Sequence, residues 1–208
     1  MNRTKIDWGI PNLKTWNPIT GCKRGCWYCY ARRIYERFNE TKFSEIIFHE
    51  NRLLEPKKVK KPAVIFVGSM SDIEYWEPEY TDIILNVCHK CPQHTFMFLS
   101  KNPLSYAGFD WPRNCMCGLT IDTDKGSQAR NWIIFSGIKA RKFLSIEPLL
   151  EAPARIPDYL ELVIVGAMTG PGAISPEKKW IEKIEQIVPA EKLHWKNNIK
   201  DLVKKCTK

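Results

Sequence analysis

Six short apolar runs, at residues 15–20, 63–67, 95–99, 115–121, 142–146 and 160–165, recur along the chain, most of them ending in a polar or glycine-containing stretch. Runs of four to seven apolar residues bounded by such stretches are the mark of strands buried on both faces. Segments between them have helical periodicity. Residues 30–38 place Tyr30, Ile34 and Phe38 four apart on one face, residues 80–88 align Ile83, Ile84 and Val87, and helices are expected near 126–135 and over 176–188. A second helix is expected over 43–54, closed by Glu55-Pro56. A repeated strand, loop, helix order implies parallel strands joined by right-handed crossovers, in an α/β fold. An open doubly wound sheet and a barrel-like sheet with helices outside both satisfy that order.

The first run leads into Gly21-Cys22-Lys23-Arg24-Gly25-Cys26-Trp27-Tyr28-Cys29-Tyr30, three thiols spaced C-x₃-C-x₂-C between a strand and a helix. Thiolates this close in sequence converge on one soft metal centre. A structural zinc site, or a cluster closed by protein alone, needs a fourth ligand, and none follows at a short regular interval. Zinc with a distant fourth ligand such as Cys91 or His89 is the main competitor. A disulfide with one free thiol requires an oxidising compartment. Cys88, Cys91, Cys115 and Cys117 are a weaker set, to be weighed as an auxiliary metal site against separate thiols.

A chain of 208 residues supports one well-buried domain, here residues 1–208. The N-terminus lacks the apolar run of a signal peptide and no stretch reaches the length of a membrane span, so a cytoplasmic protein with no membrane partner is expected. The formal charge of +9 favours phosphate-rich or acidic partners. Lys23, Arg24, Arg32, Arg33 and Arg37, interleaved with Trp27 and Tyr30, concentrate charge and rings around the cysteine loop, the combination by which nucleic acids are held. The lysine run at 57–61 and the tail from Lys200 read as solvated surface.

The cysteine loop, with the aromatic Tyr28 before its last thiol, resembles that of the radical S-adenosylmethionine (SAM) enzymes. Over nearly the whole chain, the sequence is also similar to the phage Gp37/Gp68-type family. The matching stretches, in preserved order, are 15–18 with the cysteine loop through Ala31, then 66–72, 91–96, 99–101, 118–120 and 143–150. The resemblance implies a partial (β/α)₆ TIM-like barrel of the radical SAM type. It further implies a 4Fe-4S cluster on Cys22, Cys26 and Cys29, with SAM bound at the open iron, and an electron donor of the flavodoxin or ferredoxin kind. On this reading Gly68, Ser69, Met70, Ser71 and Asp72 take the position of the motif that holds the SAM amino group. Thr120 and Asp122 fall where the ribose hydroxyls are bound. Ser145 and Glu147 form a second constellation, with Lys101 as the cation for Glu147 or for the SAM carboxylate. Asp124 is a loop-capping residue as readily as a site residue. One departure stands out: Gly166-Ala167-Met168-Thr169-Gly170 replaces a Gly-Gly-Glu-Ser-Gly-like stretch and lacks its carboxylate. The function implied is reductive SAM cleavage to a radical that acts on an unknown substrate. The alternative from another class is a non-catalytic iron-sulfur or zinc nucleic-acid-binding module.

Overall fold

The computed structural model describes residues 1–123 and 128–206. Asp124, and the start of the helix expected near 126, lie outside the described residues. In chain order the elements are β1 (Asn2–Arg3), β2 (Lys14–Trp16), β3 (Ile19–Thr20), α1 (Tyr30–Phe38), β4 (Ile47–Phe48), β5 (Val64–Val67), α2 (Pro78–His89) and β6 (Thr95–Ser100). They continue with β7 (Cys115–Ile121), α3 (Gln128–Gly137), β8 (Arg141–Ile146), β9 (Leu162–Val165), α4 (Lys178–Ile187), β10 (Leu193–Trp195) and α5 (Asn197–Cys206). One sheet runs β1-β2-β5-β6-β7-β8-β9-β10. Only β1 is antiparallel to its neighbour; the other seven strands are parallel and curl into a half-barrel.

Burial on both faces explains why the strands read as continuous apolar runs. Phe96 and Phe98 on β6 and Cys115, Cys117 and Leu119 on β7 point to the helix-covered face. Their alternates Met97 and Met116 join Trp8, Leu13, Phe66, Phe143 and Ile164 on the inner face. Gly118 is where the Phe143 ring lies, since a Cβ there would come within 2.2 Å of it.

Four expectations are corrected. The parallel strands number seven rather than six, because Leu193-His194-Trp195 pairs with β9. It is too short to stand out as an apolar run. The first run is divided at Pro18: β2 joins the main sheet, while β3 turns aside to pair with β4. The helix expected over 43–54 is absent. Ile47 and Phe48, β-branched and aromatic, pair as β4, and only a 3-10 turn follows at Glu50–Arg52. The apolar faces of two helices also differ. α2 buries Ile84 and Val87 with Thr81, Leu85 and Cys88 and leaves Ile83 exposed, and α1 buries Ala31 and Tyr35 while Tyr30, Ile34 and Phe38 face outward. In α1 the inward face is set by Phe43, which packs on Tyr35 and Ala31.

The ring is completed by the segment between β1 and β2. Trp8 packs its indole on Phe66 at 4.3 Å and on Phe143 at 5.5 Å. Asp7 accepts from the backbone N–H of Asn197 at 2.7 Å and bonds His194 Nε2 at 3.0 Å. This strap carries the chain from the β2 edge of the sheet to the β10 edge. No helix among the described residues is long and apolar enough to cross a membrane.

Candidate functional site at the strand ends

The cysteine loop is fixed to the C-terminal ends of the strands by backbone geometry. Gly21 bonds Met70 O through its N–H at 2.9 Å and forms a parallel bridge with Ser71, whose hydroxyl donates to Gly21 O at 2.6 Å. Its φ of +99° and the approach of the Glu45 carbonyl, 1.9 Å from where a Cβ would sit, admit only glycine. Cys22 N donates to Phe43 O at 2.7 Å, and the Cys29 sulfur caps α1 by accepting from Arg32 N at 3.4 Å.

All three cysteines line one cavity of about 310 Å³. Burial, acting with the neighbouring Asp72 carboxylate and thiols, pushes the Cys22 thiol up to about 11, and burial also raises Cys26. The same lining includes Gly68, Ser69, Ser71, Asp72, Lys101, Thr120, Ser145 and Glu147. The structure therefore gathers most of the expected site residues around the thiols. Met70 and Asp122 stand behind the wall. Met70 packs, as do Cys22 and Cys29, against the cluster of Ala31, Tyr35 and Phe43, while Asp122 accepts from the Tyr28 hydroxyl and, at 3.0 Å, from Lys101 Nζ.

The polar groups pair differently from the sequence reading. Lys101 belongs to Asp122, over whose partner Tyr28 it also sits at 5.4 Å, and not to Glu147. Glu147 has its own cation in Lys196, with Ser145 Oγ and Trp8 Nε1 donating to its other oxygen at 3.0 and 3.2 Å. Asp72 caps the short 3-10 turn Ile73–Tyr75 and accepts from Ser100 Oγ at 2.6 Å, Glu74 N at 3.0 Å and Lys101 N at 3.3 Å. Burial pushes its carboxyl up, against the pull of those donors. Asp122 is also raised by burial, but Lys101 and Tyr28 outweigh this and hold it below the ordinary value. Ser69 donates to Asn17, and Ser71 accepts from Trp76 Nε1 while donating to Gly21 O, so the hydroxyls of this loop are engaged by neighbouring segments.

Arg24 leaves the loop to form an ion pair with Glu74, its Nε buried without a hydrogen-bond partner at 3.9 Å from Asp72. It is therefore not a free phosphate ligand. Arg33 donates to Thr169 O at 3.2 Å, joining α1 to the loop after β9 across the cavity mouth.

Lys196, Asn198 and Trp8 line the cavity but were not singled out by the sequence. The first two follow a three-residue strand, and Trp8 looks like any core aromatic; no local signal marks them. Of the secondary thiols, Cys88, Cys91, Cys115 and Cys117 are buried in the apolar core. Cys88 and Cys115 hydrogen-bond each other, and Cys88 is raised well above the usual thiol value, first by burial. Cys91 and Cys115 precede and open strands β6 and β7, at the opposite end of the sheet from the cysteine loop, so Cys91 is not a fourth ligand for that loop. Among the described residues no three His, Cys, Asp or Glu side chains are arranged to hold one metal ion.

No curated protein and no solved structure matches the chain. A family model does match, over residues 3–198, which include every element from the strap to β10 and all the cavity residues named above. The chain therefore belongs to the family described as Protein of unknown function (DUF5131).

Proposed function

We propose that the chain is a radical SAM enzyme, its half-barrel of the radical SAM type, with Cys22, Cys26 and Cys29 holding a 4Fe-4S cluster. The observation that supports this most strongly is the opening of a C-x₃-C-x₂-C loop into a cavity at the C-terminal ends of parallel strands. Sites of α/β sheets are built there, because each strand delivers one loop to a common rim. By residue type the lining suits a thiolate-bound centre with an open position, since it holds three thiols with no fourth cysteine and no histidine among its described residues, although the side chains are not gathered about one point. All eight cysteines are free, in keeping with the reducing cytoplasm.

When bound, the cluster supplies one electron, received from a flavodoxin- or ferredoxin-like donor, that breaks the S–C5′ bond of SAM to give methionine and a 5′-deoxyadenosyl radical able to take a hydrogen atom from substrate. The chain's own residues bind and enclose. Cys22 and Cys26, raised by burial, must lose their protons to become ligands, so metal loading releases protons. Thr120, Ser145 and Glu147 offer polar groups to SAM from two adjacent strand ends, those of β7 and β8. Asp72, on the cavity wall, and Asp122, behind it, fix Lys101 and Tyr28. Trp8, Phe66 and Leu99 form an apolar floor that excludes water.

The test is metal content and turnover. Protein reconstituted anaerobically should carry about four iron and four sulfide per chain. Cys26→Ala should lose them, and the reduced wild type should release 5′-deoxyadenosine and methionine from SAM. Stoichiometric zinc without iron, or a full cluster in Cys26→Ala, overturns the reading.

A further inference from the structure

We propose that the outward face of α1 docks a single-stranded nucleic acid beside the cavity mouth. Trp27, Tyr30 and Phe38 are 61%, 46% and 76% exposed, and Ile34 between the last two is 49% exposed. Residues four apart on a helix share a face about 6 Å apart along its axis, so Tyr30, Ile34 and Phe38 make one continuous patch of a kind rarely left bare without a partner, and Trp27 stands exposed in the turn just before the helix. Arg33 and Arg37, both exposed, lie along one edge of the patch. Arg37 forms no salt bridge with any described residue. Glu36, the one acidic residue of the helix, falls about 160° away from the patch centre at 100° per residue.

Charge and ring chemistry select the occupant. A chain of formal charge +9 repels a second copy of itself and attracts polyanions. Rings set in a row beside guanidinium groups are the means by which single strands are bound: phosphates meet the cations and unpaired bases stack on the rings. A duplex keeps its bases stacked inside and offers the rings nothing. Tyr30 belongs both to this face and to the cavity wall, where its hydroxyl donates to Ser69 O at 3.1 Å. A cavity of about 310 Å³ holds one small molecule. If that molecule is SAM, as in the function proposed above, the reacting group must be presented from outside, and the strand on α1 would present a nucleotide there. Binding itself requires neither cluster nor SAM.

The experiment is fluorescence anisotropy of a labelled mixed-sequence oligonucleotide with the full chain, titrated at several salt concentrations. Binding is expected for the single strand over its duplex, with a log–log salt slope of about −2 for some three phosphates. Trp27→Ala and Phe38→Ala should each weaken it about tenfold. Arg37→Ala should flatten the slope by about 0.7, and Lys204→Ala with Lys205→Ala, in the tail, should change nothing. Wild-type binding by all three face variants, equal competition by polyglutamate, or a solution dimer that Phe38→Ala dissolves would overturn the proposal. Absent binding with intact SAM cleavage refutes this surface alone. Binding without SAM cleavage refutes only the proposed chemistry.

Discussion

Arg24 shows how one residue changes meaning between sequence and structure. In the sequence it is a cation beside thiols. Folded, it is a clamp whose guanidinium reaches from the cysteine loop to Glu74 and Asp72, with 28% of its side chain exposed. A pair of this depth lies between surface ion pairs, which contribute little, and buried ones, whose rupture costs several kcal/mol. Arg24→Met should therefore destabilise the protein by about 2 kcal/mol in urea unfolding, and Glu74→Gln should give a smaller loss because it leaves no unpaired carboxylate. Equal stability of Arg24→Met and wild type would remove the clamp. The same contrast applies to Glu147, a carboxylate after an apolar run, which pairs with a cation other than the expected Lys101. Its cation, Lys196, sits 49 positions away, and no spacing rule connects the two.

At the scale of elements, what was legible were the runs long enough to carry a pattern. β5 to β9 and helices α1 to α4 were visible because both-face burial and helical periodicity leave marks over four or more residues, though the buried face of α1 was not. Elements of two or three residues carry no such mark, and β1, β3, β4 and β10 take their form from their partners. α5 was hidden in a lysine-rich tail although Ile199 is buried under it. The strap is a further case, and its contribution is measurable. Trp8 is 2% exposed, so Trp8→Ala should cost about 3–5 kcal/mol in unfolding free energy and enlarge the cavity floor. Asp7 gives a pH signature. Burial works to raise its carboxyl, but the Asn197 N–H and His194 outweigh it and hold the group below its ordinary value of 3.8. A depressed folded value stabilises fully above the ordinary value and loses the contribution as pH falls through the folded one. Asp7→Asn should thus be about 1–2 kcal/mol less stable than wild type at pH 7, with the gap closing as the pH falls below the ordinary value of 3.8 and through the depressed folded one. A gap that persists unchanged in acid would show that the carboxylate charge is not what holds the strap.

For the whole molecule, the seven parallel strands leave a half-barrel, and the strap joins its two edges. The contacts that do so pair Asp7 with partners 187 and 190 positions later. On a ribosome adding about 5–20 residues per second, the early half of that closure waits roughly 10–40 s for the late half to emerge. The cysteines and the first rim loops are made early in that interval, when the nascent chain has no β10 to receive the strap. Any group the cavity takes up during synthesis therefore meets an open trough, and the ring shuts behind it only once the last parallel strand has left the ribosome.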